Sequence, residues 1–232
     1  MDEILIQSFV AAPPERVWEQ LLARPDLVLD ALPLHAWPVE RVEERPARLE
    51  VPWPGGAGRP ATRVTITLAV TGPGTTRLEV RHGGWEAGAG SEDAIAGHFA
   101  GWLQAVAALG LLVETGRDPR ATSPQLAQRE RYFASGEIAA EADAVFRAIT
   151  DPDVLARWAQ GALDGAAPAD AVAGRYVRWT TAWSGAEPGE AVMILRPTPR
   201  GTHCAVAEYG VTGRAASTRW PKLLERLAQF LR

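Results

Sequence analysis

Apolar and polar positions alternate through much of the chain. Val64, Ile66, Leu68 and Val70 alternate with Arg63, Thr65, Thr67 and Ala69. After the turn Gly72-Pro73-Gly74, Leu78, Val80 and His82 alternate with Arg77, Glu79 and Arg81. A period of two on both sides of a Gly/Pro turn predicts an antiparallel hairpin with one wet face. The stretch Val39–Trp53 predicts one or two further strands, and in the second half Arg175–Trp183, Ala191–Leu195 and Thr202–Tyr209 predict three more. Two segments show helical spacing instead. Trp102, Val106 and Leu109 recur at i, i+4, i+7, and so do Trp220, Leu224 and Leu227. Each stripe is one face of a helix. The first helix is expected to start after Ser91, an N-cap candidate followed by Glu92 and Asp93, whose charges suit a helix N-terminus. The second has Ser217 or Thr218 as cap, which puts Pro221 in its first turn, where proline is tolerated.

These elements occur twice in the same order. Phe9 to Leu22 matches Glu137 to Thr150 at an offset of 128: Val10 with Ile138, Ala12 with Ala140, Val17 with Val145, Trp18 with Phe146. A gap of one residue brings Pro25 onto Pro152. Each half reads as strand, short helices, several strands, long helix. Between the halves, Glu114 to Gln125 is polar, holds two prolines and lacks apolar periodicity, the marks of a linker. The expected domains are 1–118 and a shortened 128–232.

Composition narrows the function. The chain has 232 residues, 47% hydrophobic and 22% charged, with a net charge of -4, an ordinary globular make-up. The first 118 residues carry 16 acidic and 10 basic side chains, the remainder 12 and 14. Neither half has the concentrated basic face that nucleic acid requires. No uninterrupted apolar run approaches a membrane span, and the acidic start MDEILIQSF is no signal peptide, so the expected location is cytoplasmic. One cysteine, Cys204, excludes an internal disulfide and a thiolate metal cluster. Nine tryptophans against five phenylalanines suit a cavity with half-polar walls, and equally a plain core.

The opening Ala11-Ala12-Pro13-Pro14-Glu15-Arg16-Val17-Trp18, with Asp151-Pro152-Asp153-Val154-Leu155-Ala156-Arg157-Trp158 in the second half and Gly101-Trp102 in the first closing helix, resembles the SRPBCC (START-like, helix-grip) superfamily. The nearest branch is that of the C-terminal domain of the heat-shock-chaperone ATPase activator. The resemblance covers nearly the whole chain as two tandem copies. It departs at Leu32-Pro33, where the first half lacks the tryptophan found at Trp158. The first copy is also expected to lack an early hairpin, and the second to have a short last one. The resemblance implies an α+β fold: in each half, a curved antiparallel sheet around a long C-terminal helix, with room between them for an apolar ligand. Its members include carriers, polyketide cyclases and chaperone co-factors, so fold does not fix function.

His82 lies on the same strand face as Leu78 and Val80, with Trp85 just beyond, and a neutral imidazole there suits a general base or a ligand hydrogen bond. The blander reading is a strand-end histidine bonded to a loop. His98 shares a helix face with Trp102, either at a pocket mouth or at the core's edge. Trp179 and Trp183 are pocket wall or core. Glu208 shares parity with Val206, so it needs a partner if that face is inner. Arg77, Glu79 and Arg81 read as a solvated outer face. The four histidines, at 35, 82, 98 and 203, are too scattered to imply a metal, and the glycines of 88–90 are too few for a dinucleotide loop. The expectation is therefore binding without cofactor or metal. The ligand is a small apolar molecule or a protein partner, held through His82, Trp85, His98, Trp102, Trp179 and Trp183. The alternatives are a cyclase- or hydrolase-like enzyme using His82, and a chaperone ATPase co-factor.

Overall fold

In the computed structural model, residues 3–28, 42–53, 61–85, 91–119, 131–163, 167–181, 189–210 and 214–232 are described. The chain divides into two compact units, Met1–Arg117 and Asp118–Arg232. The first runs β1 (Glu3–Val10), α1 (Pro14–Ala23), α2 (Pro25–Val28), β2 (Val42–Glu44), β3 (Arg48–Trp53), β4 (Thr62–Gly72), β5 (Thr75–Gly83) and α3 (Ser91–Thr115). The second runs β6 (Arg131–Ile138), α4 (Ala142–Thr150), α5 (Pro152–Ala159), β7 (Ala167–Val172), β8 (Tyr176–Thr181), β9 (Gly189–Thr198), β10 (Gly201–Tyr209) and α6 (Arg214–Phe230). Each sheet has five antiparallel strands, ordered β1-β5-β4-β3-β2 and β6-β10-β9-β8-β7. Among the described residues both units have five strands in the same order.

In the first unit the period of two becomes an inner and an outer face. Ile4, Ile6, Leu49, Val51, Val64, Ile66, Leu68, Leu78 and Val80 are buried and lie under α3, whose Trp102, Val106 and Leu109 are buried as well. On the outer face Glu79 accepts from Gln7 at 2.6 Å and from Arg81 at 2.7 Å. Arg81 also reaches Glu3 at 3.1 Å, and Glu50 is flanked by Arg48 and Arg63. The Gln7 bond, outweighing burial, together with Arg81 holds the Glu79 carboxyl below its usual range. By length and composition, Ile95–Thr115 of α3 is apolar enough to cross a membrane. The run-based reading above misses this because His98 and Gln104 interrupt the apolar sequence. In this fold the segment is the core helix of the first unit.

In the central strands β9 and β10 of the second sheet, residues of both faces are buried. Val177, Met193, Leu195, Cys204 and Val206 pack inward with Trp220, Leu224 and Leu227 of α6. Val192, Ile194, Ala205 and Ala207, of opposite parity, are also fully buried. Their unbroken apolar sequence is that of a strand with two dry faces. The turn before β10 needs Gly201: its φ is +139°, and a Cβ there would lie 2.1 Å from the carbonyl oxygen of Ile138. The helix α6 starts at Arg214, earlier than the expected cap at Ser217 or Thr218. Pro221 is therefore interior, and lacks the N–H that the carbonyl of Ser217 would otherwise accept.

The Asp-Pro motif has a local physical cause. The Asp151 side chain accepts from the backbone N–H groups of Asp153 and Val154 at 3.0 and 3.3 Å, with Pro152 in the first turn. Trp158 then donates to the carbonyl of Ala148 at 2.8 Å and ties α5 to α4. In the first half Arg24 stands before Pro25 and has no acceptor to offer as a cap.

One contact repeated in both units is invisible to pattern alone. Thr76 donates its hydroxyl to the carbonyl of Ala12, and Thr202 donates to that of Ala140, both at 2.7 Å. Each bond ties the last strand to the turn after the first. Thr76→Val and Thr202→Val keep the shape but remove the donor, leaving a carbonyl without its partner. Each should cost about 1–3 kcal/mol, read by denaturant unfolding. Parental midpoints in both variants would show that these bonds do not hold the turns.

Candidate binding site

At one end of the first inner face, β3, β5 and the first turns of α3 bring five rings together. His82 is the centre and has no exposed surface. Its Nε2 lies 2.7 Å from Thr62 Oγ1, and its Nδ1 accepts from Trp102 Nε1 at 3.0 Å. An indole N–H only donates, so Nδ1 is the unprotonated nitrogen and Nε2–H is left to donate to Thr62. Trp85 folds back over the ring, 4.5 Å between centroids, and donates to the carbonyl of His82 at 3.0 Å. Trp53 lies 5.4 Å from His82 and 5.5 Å from Trp102. His98 sits 5.1 Å from His82, 4.9 Å from Trp85 and 5.9 Å from Trp53, edge to face in each case. Trp53, Trp85 and His98 are half-buried, so the cluster has a dry base of His82 and Trp102 and a partly open rim.

The second unit places the same contact at the same register. His82 faces Ile4 across β5 and β1, and Glu208 faces Tyr132 across β10 and β6. Ile4 and Tyr132 are separated by the repeat offset of 128. Glu208, also without exposed surface, accepts from Trp220 Nε1 at 2.7 Å and from Arg219 Nη1 at 3.0 Å. A buried carboxylate is tolerable only when it is paired in this way. The Glu208 charge adds to burial in raising the Tyr132 phenol above its usual range, with burial the larger cause. Trp179 is buried, and its ring centroid lies 6.2 Å from that of Trp220.

Of the six residues expected to bind, His82, Trp85, His98 and Trp102 come together in the first unit. Trp179 stands on the inner face of the second. Trp183 lies outside the described residues. The sequence reading did not single out Thr62 or Arg219. Thr62 was within reach of it, since it continues the Val64–Ile66–Leu68 parity; Arg219 carries no signal beyond standing beside Trp220.

Burial, and secondarily the nearby His98, push the His82 imidazole down to about 3 from 6.5. Between these values the unfolded chain binds a proton that the folded one refuses, so stability is lost as pH falls through this window. The steepest loss is about 1.4 kcal/mol per pH unit. His203 in the second unit is also held low by burial, so the contribution of His82 is read as a difference. His82→Gln, whose amide can accept and donate in the same places, should flatten the fall of unfolding free energy from pH 6 to pH 4. An unchanged slope would place the acid lability elsewhere.

No family model and no curated protein matches the chain. Among solved structures it is similar to DynU16, a protein of the dynemicin biosynthetic locus: 19% identity, TM-score 0.43, covering 100% of this chain and 96% of that one. It is similar to the di-domain ARO/CYC StfQ of the steffimycin biosynthetic pathway at 10% identity, TM-score 0.35, covering 98% and 97%. It is also similar to the Aha1 dimer from Colwellia psychrerythraea at 17% identity, TM-score 0.37, covering 44% of this chain and 96% of that one. The assignment itself rests on strand order and on the long helix that closes each unit across its sheet. The chain folds as two tandem helix-grip domains.

Proposed function

We propose that the first domain binds a small apolar ligand at the rim formed by Trp53, Trp85 and His98, over the His82–Trp102 pair, and performs no chemistry on it. The observation that carries this reading is the set of three half-buried rings, 4.5–5.9 Å from their neighbours, around a dry base. Aromatic side chains with one face committed and one partly open offer large contact area at little entropic cost. The state of His82 favours binding over catalysis. A general base needs an available lone pair, and the lone pair of Nδ1 is on the Trp102 indole while Nε2 carries the proton toward Thr62.

Titration with the neutral fluorophore N-phenyl-1-naphthylamine at pH 7 tests the proposal. The parent should show saturable binding. Trp53→Ala and Trp85→Ala should each weaken it about five- to tenfold, the loss of one aromatic contact. Leu5→Ala, exposed on the outer face, should not. No saturable change in the parent, or the same curve in every variant, would retire the rim as a ligand site and favour a protein partner.

A further inference from the structure

Trp53 and Trp85 flank the same two histidines, at 5.4 and 4.5 Å from His82 and at 5.9 and 4.9 Å from His98. The charge around these rings is one-sided. Arg48, Arg63, Arg77 and Arg81, the four arginines of β3, β4 and β5, stand on the outer face with Glu50 and Glu79. The span 82–116 supplies His82, Trp85, His98 and Trp102; it holds no lysine or arginine, and its acidic residues are Glu86, Glu92, Asp93 and Glu114. His82 adds no charge, since Nδ1 accepts from Trp102 and Nε2–H is left for Thr62. Indole faces on a stretch of chain with acidic residues and no cation are a setting that draws a positive charge. The second domain differs at the same row: there Arg219 stands on Glu208 at 3.0 Å.

We infer that the ligand of the rim carries a positive charge on its apolar frame, as a tertiary or quaternary ammonium held against the indoles of Trp53 and Trp85. The inference rests on the rim reading above and names the class of molecule that the rim selects. The ring quadrupole turns its negative side to a cation over the ring face, and tryptophan does so most strongly among the side chains. Alkyl groups on the nitrogen matter as much as the charge. A primary ammonium keeps its water unless hydrogen-bond acceptors replace it, and an indole offers none. An alkylated ammonium brings apolar surface to the same contact and needs no such acceptor. For an anion the quadrupole and the acidic residues both act the other way.

The test uses the full chain at pH 7 with three probes of one shape, phenyltrimethylammonium, tert-butylbenzene and benzenesulfonate, which differ in the charge of the group on the ring. Binding is read by calorimetry. Phenyltrimethylammonium should bind about fivefold more tightly than tert-butylbenzene, the worth of one cation–ring contact, and benzenesulfonate should not bind. Trp53→Leu and Trp85→Leu keep an apolar side chain but remove the ring, and each should bring the first two probes to equal affinity. Trp53→Phe and Trp85→Phe keep a weaker ring and should retain part of the preference; they also serve should a leucine variant fail to fold. Equal affinities in the parent, with N-phenyl-1-naphthylamine still bound, would overturn the positive charge and leave the rim reading standing. Binding of none of the four probes would end the rim reading and this inference with it. A preference for the cation that survives both leucine substitutions would assign it to surface carboxylates and equally overturn the inference.

Discussion

In each domain a tryptophan from the closing helix reaches across the core and gives its indole N–H to a side chain one residue before the end of the last strand. A long apolar helix lying on an apolar sheet face has little to fix its depth or rotation, because hydrophobic burial is non-directional. A buried N–H is directional and costly to leave unmade. Once Trp102 or Trp220 is in place, the stripes Val106–Leu109 and Leu224–Leu227 fall onto the sheet in one register. The acceptors differ. One is a neutral imidazole, itself held by Thr62; the other is a carboxylate held in addition by Arg219. The same geometric demand has been met by a group held uncharged and by one paired with a cation.

The choice of acceptor also sets what the surrounding face can do. Around His82 the neighbours are rings, and the neutral cluster extends to a half-open rim. Around Glu208 the neighbours are a cation, a phenol and the Trp220 indole, on the buried inner face of the sheet. A domain duplicated in architecture has thus diverged in polarity at the very row that anchors its helix.

Much of the architecture was legible in the sequence. The offset of 128 that joined Val10 to Ile138 was enough to infer the repeat, and the closing stripes named the helix faces correctly. Strand parity put His82 inward and Arg77, Glu79 and Arg81 outward, and tied Glu208 to whichever face Val206 takes. What escaped has physical reasons. The strand Ala167–Val172 is short and rich in alanine, so alternation gave no signal. Pro221 suggested a helix start because a first turn is its least costly place, yet packing carries α6 on both sides of it. The partners of the buried groups were hardest to foresee. Thr62 and Trp102 meet His82 from positions twenty residues away on either side, and only the folded register makes them neighbours. Arg219 was hidden for a different reason: adjacency to Trp220 says nothing about which carboxylate it will meet.

Hydrogen exchange of the indole protons, followed by NMR with each tryptophan assigned, tests the central claim most directly. If the closing helices are held by these bonds, the Nε1 protons of Trp102 and Trp220 should exchange only through opening of their own domains, in the slowest class observed for that domain's backbone amides. Exchange of either proton at the rate of a solvent-exposed indole, with its domain still folded, would show that its helix is held by apolar contact alone and would contradict the account.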